Sequence, residues 1–329
     1  MKKISEVRKL WNYSPEEPIN YNPLFDWPIK PVKIFNWMVR RWISISRFLM
    51  FILLGFAIYH YLTPSLLTME NFTLDWVLII FLRNTALLFL IAGSLHLYLH
   101  VYKIQGDRFK FLKKEMSTNN KNFKFNDQVY DNMFWSIASG VTVWTAYEVL
   151  YLTCVANGWV NIISFTDSPI QFFAWILCFP LIRGTHFYFI HRLLHHPFLF
   201  KHVHITHHRN VNTGPWSGIS MHPIEHIIYF SGVLIFFIVP AHPFIAIFLL
   251  SKIAIGPGLS HSGFHKLFIG KEMVNTKHYL HYLHHRYFEC NYGAGLDGSI
   301  IPLDKWFGTL HDGSEEAEQR MMNKLRESD

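Results

Sequence analysis

Apolar and polar positions along this chain fall into long blocks rather than the short periods of a soluble domain. Four apolar stretches, at about 42–62, 76–102, 133–155 and 172–190, have the ~20 residues a helix needs to cross a hydrocarbon core of ~30 Å. A fifth, 227–255, is split by Pro240 and Pro243. Each half holds about a dozen residues, short for a span, which predicts a re-entrant hairpin or one kinked helix. The pattern predicts an all-α integral membrane bundle of about four spans plus that hairpin. Arg47 and Arg83 fall near span ends, where their side chains are expected to snorkel to the interface. Trp11, Trp27, Trp37 and Trp42 in the Pro-rich N-terminal arm have the placing of an interfacial belt.

Loop charge gives a direction. Segments 63–75 and 157–169 contain no Lys or Arg, whereas 103–124 holds Lys103, Arg108, Lys110, Lys113, Lys114, Lys121 and Lys124. The N-terminal flank ends in Arg40 and Arg41. The positive-inside rule then places the N-terminus, the loop 103–132 and everything after 190 in the cytoplasm. The expected organisation is an interfacial arm (1–41), transmembrane hairpins (42–190), a cytoplasmic helical cap that includes the membrane hairpin 227–255 (191–311), and a polar tail (312–329).

Composition agrees with the membrane reading. Half of the 329 residues are hydrophobic and 16% are charged, against about a quarter charged in a soluble domain. The net charge of +7 suits loops lying against anionic lipid, and no nucleic-acid partner is expected. Cys154, Cys178 and Cys290 form neither a disulfide framework nor a CxxC pattern. The polar first ~40 residues predict no cleavable signal peptide.

Histidine changes the picture. Seventeen of 21 histidines lie between His186 and His285. They form two short boxes, His191-xxx-His195 and His261-xxx-His265. They also form two triple boxes, His204-xx-His207-His208 and His281-xx-His284-His285. On a helix, residues three or four apart share a face. In a triple box the last two histidines diverge by about 100°, and the first lies between them in angle. Such a fan serves two adjacent metal ions better than one. Ten imidazoles exceed the needs of two zinc sites and offer no oxygens for calcium or magnesium. They suit two irons with about five each and a position for O2.

His222, Glu225, His226, His278 and Asp304 are weaker candidates for orienting those ligands. His186, His196, His202 and His242 fall off the box faces and are expected to pack or meet solvent, and His60 and His311 are read as incidental. His96 and His100, at the cytoplasmic end of the second span, are expected at the membrane interface, with a place along a substrate channel as the alternative.

These boxes, in this order and with a membrane segment before the last, resemble the fatty acid hydroxylase/sterol desaturase superfamily of membrane di-iron proteins. The resemblance extends to Tyr188, His222-Pro-Ile-Glu225, Asn291-Tyr-Gly293 and Asp304-Lys-Trp-Phe-Gly-Thr309, and covers about 172–309. It implies a diferrous site that reduces O2 with two external electrons and takes hydrogen from an unactivated C–H bond. Rebound gives an alcohol, and a second abstraction an alkene. The chain departs from the family at Arg183-Gly184-Thr185, where many members carry an acidic residue. It has no haem-binding His-Pro-Gly-Gly segment, so a separate donor, cytochrome b5-like or ferredoxin-type, is expected.

The expected activity is lipid hydroxylation with two Fe ions and O2, and desaturation at the same site is the nearest alternative. A non-catalytic metal-binding or transport protein would place its histidines near the membrane midplane, and a degenerate relative would have lost boxes. With no ER-retrieval ending, a bacterial inner membrane is favoured over the endoplasmic reticulum.

Overall fold

The computed structural model of the protein describes residues 13–15, 23–42, 47–276, 278–293 and 301–328. Trp11 and the start of the first apolar stretch lie outside the described residues, and Arg47 lies outside those whose side chains are described.

The N-terminal arm forms an amphipathic helix, α1 (Pro31–Trp42), in which Val32 and Phe35 are exposed. The apolar stretches then become helices: α2 (Arg47–Tyr61), α3 (Leu74–Val101), α4 (128–156) and α5 (Pro169–Leu194). A short helix, α6 (197–208), carries the first triple box and includes a π-helical turn at Phe200–His204. The fifth region becomes α7 (Pro223–Phe237) and α8 (Pro243–Ser260). An antiparallel hairpin of β1 (Lys266–Ile269) and β2 (Glu272–Asn275) follows, with Lys266 opposite Asn275. Then come α9 (Tyr279–Tyr287), α10 (Leu303–Trp306) and α11 (Glu315–Ser328). Among the described residues the two-stranded hairpin is the one sheet in an otherwise helical fold, with isolated antiparallel bridges at Lys110–Phe264 and Thr118–Asp127.

Among the described residues, three helices are long and apolar enough to cross a membrane: α3, α5 and α8. Residues 49–61 and α7 form shorter apolar helices. The third expected span, α4, is long enough, but it buries Gln128, Asp131, Asn132, Ser136, Ser139 and Glu148.

The second half of the proline-split region corrects an expectation. It was short for a span by sequence, yet α8 runs 18 residues through Gly256-Pro257. Proline there has no N–H for the carbonyl of Ile253, four residues back. The Tyr229 hydroxyl donates to that carbonyl instead, at 2.8 Å, so the buried acceptor is satisfied and the helix continues. The break falls at 238–242, where the Pro240 carbonyl accepts from Gln171 Nε2 and Trp175 Nε1. The region is thus a helical hairpin. Residues 243–255 are buried throughout, and Phe248 lies so close to Gly55 of α2 that a Cβ there would sit 3.2 Å from it.

Arg83 does not snorkel. Its Nη2 lies 2.6 Å from both carboxylate oxygens of Glu148, and its other nitrogens bond Asn84 Oδ1, Thr63 Oγ1 and the Leu62 carbonyl. The α3–α4 packing supplies an internal counter-charge, which a one-dimensional reading of the span could not see.

Candidate metal centre

Two groups of histidines converge where the ends of α5, α6, α8 and α9 meet. His191, His195, His204, His208 and His284 form one; His207, His261, His281 and His285 form the other. Within each group the ligand nitrogens lie within 4.8 Å of one another. All except His195 are buried.

The triple boxes split two and one. His204 and His208, four residues apart, turn to the first group and His207 to the second. In α9 the i, i+4 pair His281 and His285 joins the second group and His284 the first. No imidazole stands between the two groups, a correction to the fan expected of each box, because residues four apart differ by only about 40° and travel together. The α9 box therefore mirrors the α6 box.

Each anchor on the remote ring nitrogen has a local cause. His191 Nδ1 lies 2.7 Å from the Tyr292 carbonyl, His284 Nδ1 2.6 Å from the Cys290 carbonyl, and His261 Nδ1 3.0 Å from the Pro257 carbonyl. Carbonyls only accept, so each ring carries its proton on Nδ1 and directs the Nε2 lone pair into the group. His204 Nδ1 is held by Glu225 Oε1 at 2.8 Å. The Cys290 carbonyl reaches back because Phe288 (φ 64°) and Asn291 (φ 54°) reverse the chain after α9. Asn291 then ties this turn to the Leu280 and His311 carbonyls.

The Nε2 atoms face one another. His204 is 3.1 Å from His195 and His284 3.1 Å from His208. His261 Nε2 meets three, His281 at 2.9 Å, His285 at 3.0 Å and His207 at 3.3 Å. A single lone pair cannot satisfy three neighbouring nitrogens of neutral rings, but a cation among them can. Two imidazoles on adjacent octahedral positions of a metal at ~2.1 Å have nitrogens ~3.0 Å apart, against ~3.4 Å for a tetrahedron. The donor set therefore fits two metal ions, and five imidazoles in one group exceed what tetrahedral zinc takes. Burial, with neighbouring imidazoles adding to it, holds His204, His208, His284 and His285 well below the ordinary histidine value. The rings stay neutral and ligand-competent.

His265 joins neither group. It lies 5.5 Å from the Tyr13 ring and 6.2 Å from Phe111. The helix ends at Ser260, and the chain leaves through Ser262 and Gly263 (φ +84°) into β1. The i, i+4 relation to His261 therefore never forms.

Of the weaker candidates, Glu225 touches a histidine of the groups directly. Asp304 lies one step further out: it accepts from the Gly293 N–H and from Thr309 Oγ1, fixing the segment whose Tyr292 carbonyl holds His191. His222 caps α7 through the Ile224 N–H. His226 bonds Ser139 and the Ile219 carbonyl. His278 is buried at the start of α9. The Tyr292, Cys290 and Pro257 carbonyls went unforeseen, since a backbone acceptor leaves no residue-type signal; Asn291-Tyr-Gly293 was the nearest hint.

A cavity of about 80 Å³ adjoins the centre, lined by His191, His204, His207, His261 and His281 and, on other sides, by Arg183, Tyr229 and Lys252.

The fatty acid hydroxylase family model matches residues 175–309. A delta(7)-sterol 5(6)-desaturase of Gibberella zeae is 25% identical over 214 residues, 64% of this chain and 62% of that protein. A fatty acid hydroxylase of Mycosarcoma maydis is 31% identical over 166 residues, 46% of this chain and 40% of that protein. A delta(7)-sterol 5(6)-desaturase of Aspergillus fumigatus is 30% identical over 148 residues, 44% of this chain and 41% of that protein. The chain thus spans less than two thirds of the length of each. No solved structure matches it.

Proposed function

Because the chain belongs to the fatty acid hydroxylase/sterol desaturase superfamily, we propose that it is a membrane di-iron oxygenase that hydroxylates a C–H bond of a lipid. The lipid is fatty-acyl, sterol or related, and the reaction consumes O2 and two external electrons. The observation that carries this reading is the pair of buried imidazole groups, five and four, with Nε2 atoms about 3 Å apart. His191, His195, His204, His208 and His284 would hold one iron, and His207, His261, His281 and His285 the other. When bound, the two irons supply the reduction of O2 and the removal of hydrogen from an unactivated carbon. The chain's own residues do the rest. The Tyr292, Cys290 and Pro257 carbonyls and Glu225 hold ligand protons on Nδ1, and the buried walls exclude water.

The site belongs on the cytoplasmic side, by the loop charge. It lies at the ends of spans, with His191 in the last turn of α5 and His261 just past α8. That position disfavours metal transport through the midplane. A bacterial inner membrane is favoured, as is a separate acidic electron donor of the cytochrome b5-like or ferredoxin type docking on the basic loop 103–132. The division into arm, membrane hairpins, catalytic region and tail is part of the same reading. Desaturation is the second reading, favoured by the sterol desaturases among the relatives.

Metal analysis of anaerobically purified protein tests the proposal. Two irons per chain are expected, with loss on His207→Ala or His284→Ala; one tightly held zinc and no iron would sink it. Lipid profiling of a deletion strain then separates the two readings. A lipid accumulating one oxygen short indicates hydroxylation, and one accumulating with two extra hydrogens indicates desaturation.

A further inference from the structure

One face of α5 reads Trp175, Phe179, Arg183, Phe187 and His191 at intervals of four residues, so these side chains follow one another along the helix about 6 Å apart. The metal end of this track lines the cavity described above. The other end, with Trp175 and Phe179, lines a second chamber of about 240 Å³ between α5, α7 and α8, walled by Ile235, Phe236 and Leu249. Arg183, Tyr229 and Ile253 border both chambers. Between Trp175 and Phe187 the track is apolar except at Arg183, and the second chamber is apolar apart from His186, which bonds Ser231, and Arg183.

Arg183 stands at the junction, and Lys252 lines the metal-side cavity with its Nζ 5.0 Å from the Phe179 ring. The Arg183 guanidinium packs 4.5 Å from the Phe187 ring and 5.0 Å from the Tyr229 ring. Phe187 is itself 4.8 Å from the His191 ring, so the guanidinium lies within two ring contacts of a candidate ligand. Its Nη1 is shut off from solvent and has no hydrogen-bond partner. Lys252, 6% exposed, lines the same cavity from α8. Glu225 is on the cavity wall, but its Oε1 is committed to His204 and it makes no ion pair with Arg183. Cations inside membrane-spanning helices are costly and mark binding or transport paths. A guanidinium with an unused donor is suited to anionic oxygen.

We propose that Arg183 and Lys252 form a site for the anionic oxygen group of a lipid substrate, whose hydrocarbon lies in the adjoining apolar chamber. The substrate class is then a charged lipid, carboxylate or phosphate, rather than a neutral sterol. This rests on the lipid-oxygenase reading for its meaning, but binding needs no metal, so the two fail separately.

The test is equilibrium binding to metal-free, full-length protein in neutral phosphatidylcholine nanodiscs. The probes are oleic acid, oleoyl-lysophosphatidic acid, methyl oleate and cholesterol. Expected is binding of at least one anionic lipid about tenfold or more tighter than methyl oleate or cholesterol. Arg183→Met and Lys252→Met should each weaken it about tenfold, and Arg183→Lys should retain most of it. Arg183→Met should melt no lower than the parent, because it removes a buried charge with an unused donor; a structural role would lower the melting point. The better of the two anionic probes identifies carboxylate or phosphate. Methyl oleate or cholesterol binding as tightly as the anionic lipids would overturn the proposal. So would anionic binding that is unchanged in both Met variants, and Arg183→Lys serves as the folded control.

Discussion

Replacing Glu225 by leucine separates the two halves of the centre. Glu225 is 1% exposed and reaches the histidines through one bond, from Oε1 to His204 Nδ1 at 2.8 Å. Leucine fills similar space but accepts no hydrogen bond. His204 then loses the acceptor that keeps its proton on Nδ1 and its Nε2 lone pair directed at His195 Nε2, 3.1 Å away. Loss of such an orienting partner typically weakens metal binding 10–100-fold, about 1.4–2.7 kcal/mol. The second group, His207, His261, His281 and His285, has no bond to Glu225, and its anchor at the Pro257 carbonyl is untouched. Anaerobic titration of metal-free protein with Fe2+ against a competing chelator should therefore show one site weakened by that factor and the other unchanged. Glu225→Gln, which keeps an acceptor oxygen, should fall between. Equal weakening of both sites, or none in the leucine variant, would refute the division into two groups.

His265→Ala should leave two metals per chain while His261→Ala loses one, read by metal analysis, since only His261 stands in a group. Glu148→Ala strands the buried Arg83 guanidinium and should cost about 3–5 kcal/mol; the pair Arg83→Met/Glu148→Leu should recover most of it, measured by unfolding in detergent. Burial holds His311 down to about 4, stacked on Tyr287, whereas the unfolded chain binds that proton near 6.5. Its contribution is therefore full above pH ~6.5 and lost as pH falls towards 4. His311→Phe, which keeps the stack, should flatten the pH dependence of melting in that window, and an unchanged slope would count against the assignment.

Local signals carried much of this protein. Apolar block length marked the helices that became α3 and α5, and histidine spacing of three and four picked out ten box residues, of which nine stand in the two groups of the structure. Both depend on helical period alone, which sequence fixes wherever a helix continues. What the period could not supply was where helices stop and what lies across from them. His265 dropped out because the chain turns into a strand at Gly263, and α8 became long enough to span because a tyrosine 24 residues earlier satisfies the carbonyl that Pro257 abandons. Arg83 found Glu148 65 residues away, and the anchors on Nδ1 came from backbone carbonyls that any residue type could provide. The candidate donors are thus written in residue type and spacing. Ring orientation, the meeting of the boxes in two groups and the charged junction of the two chambers arise only when distant segments pack.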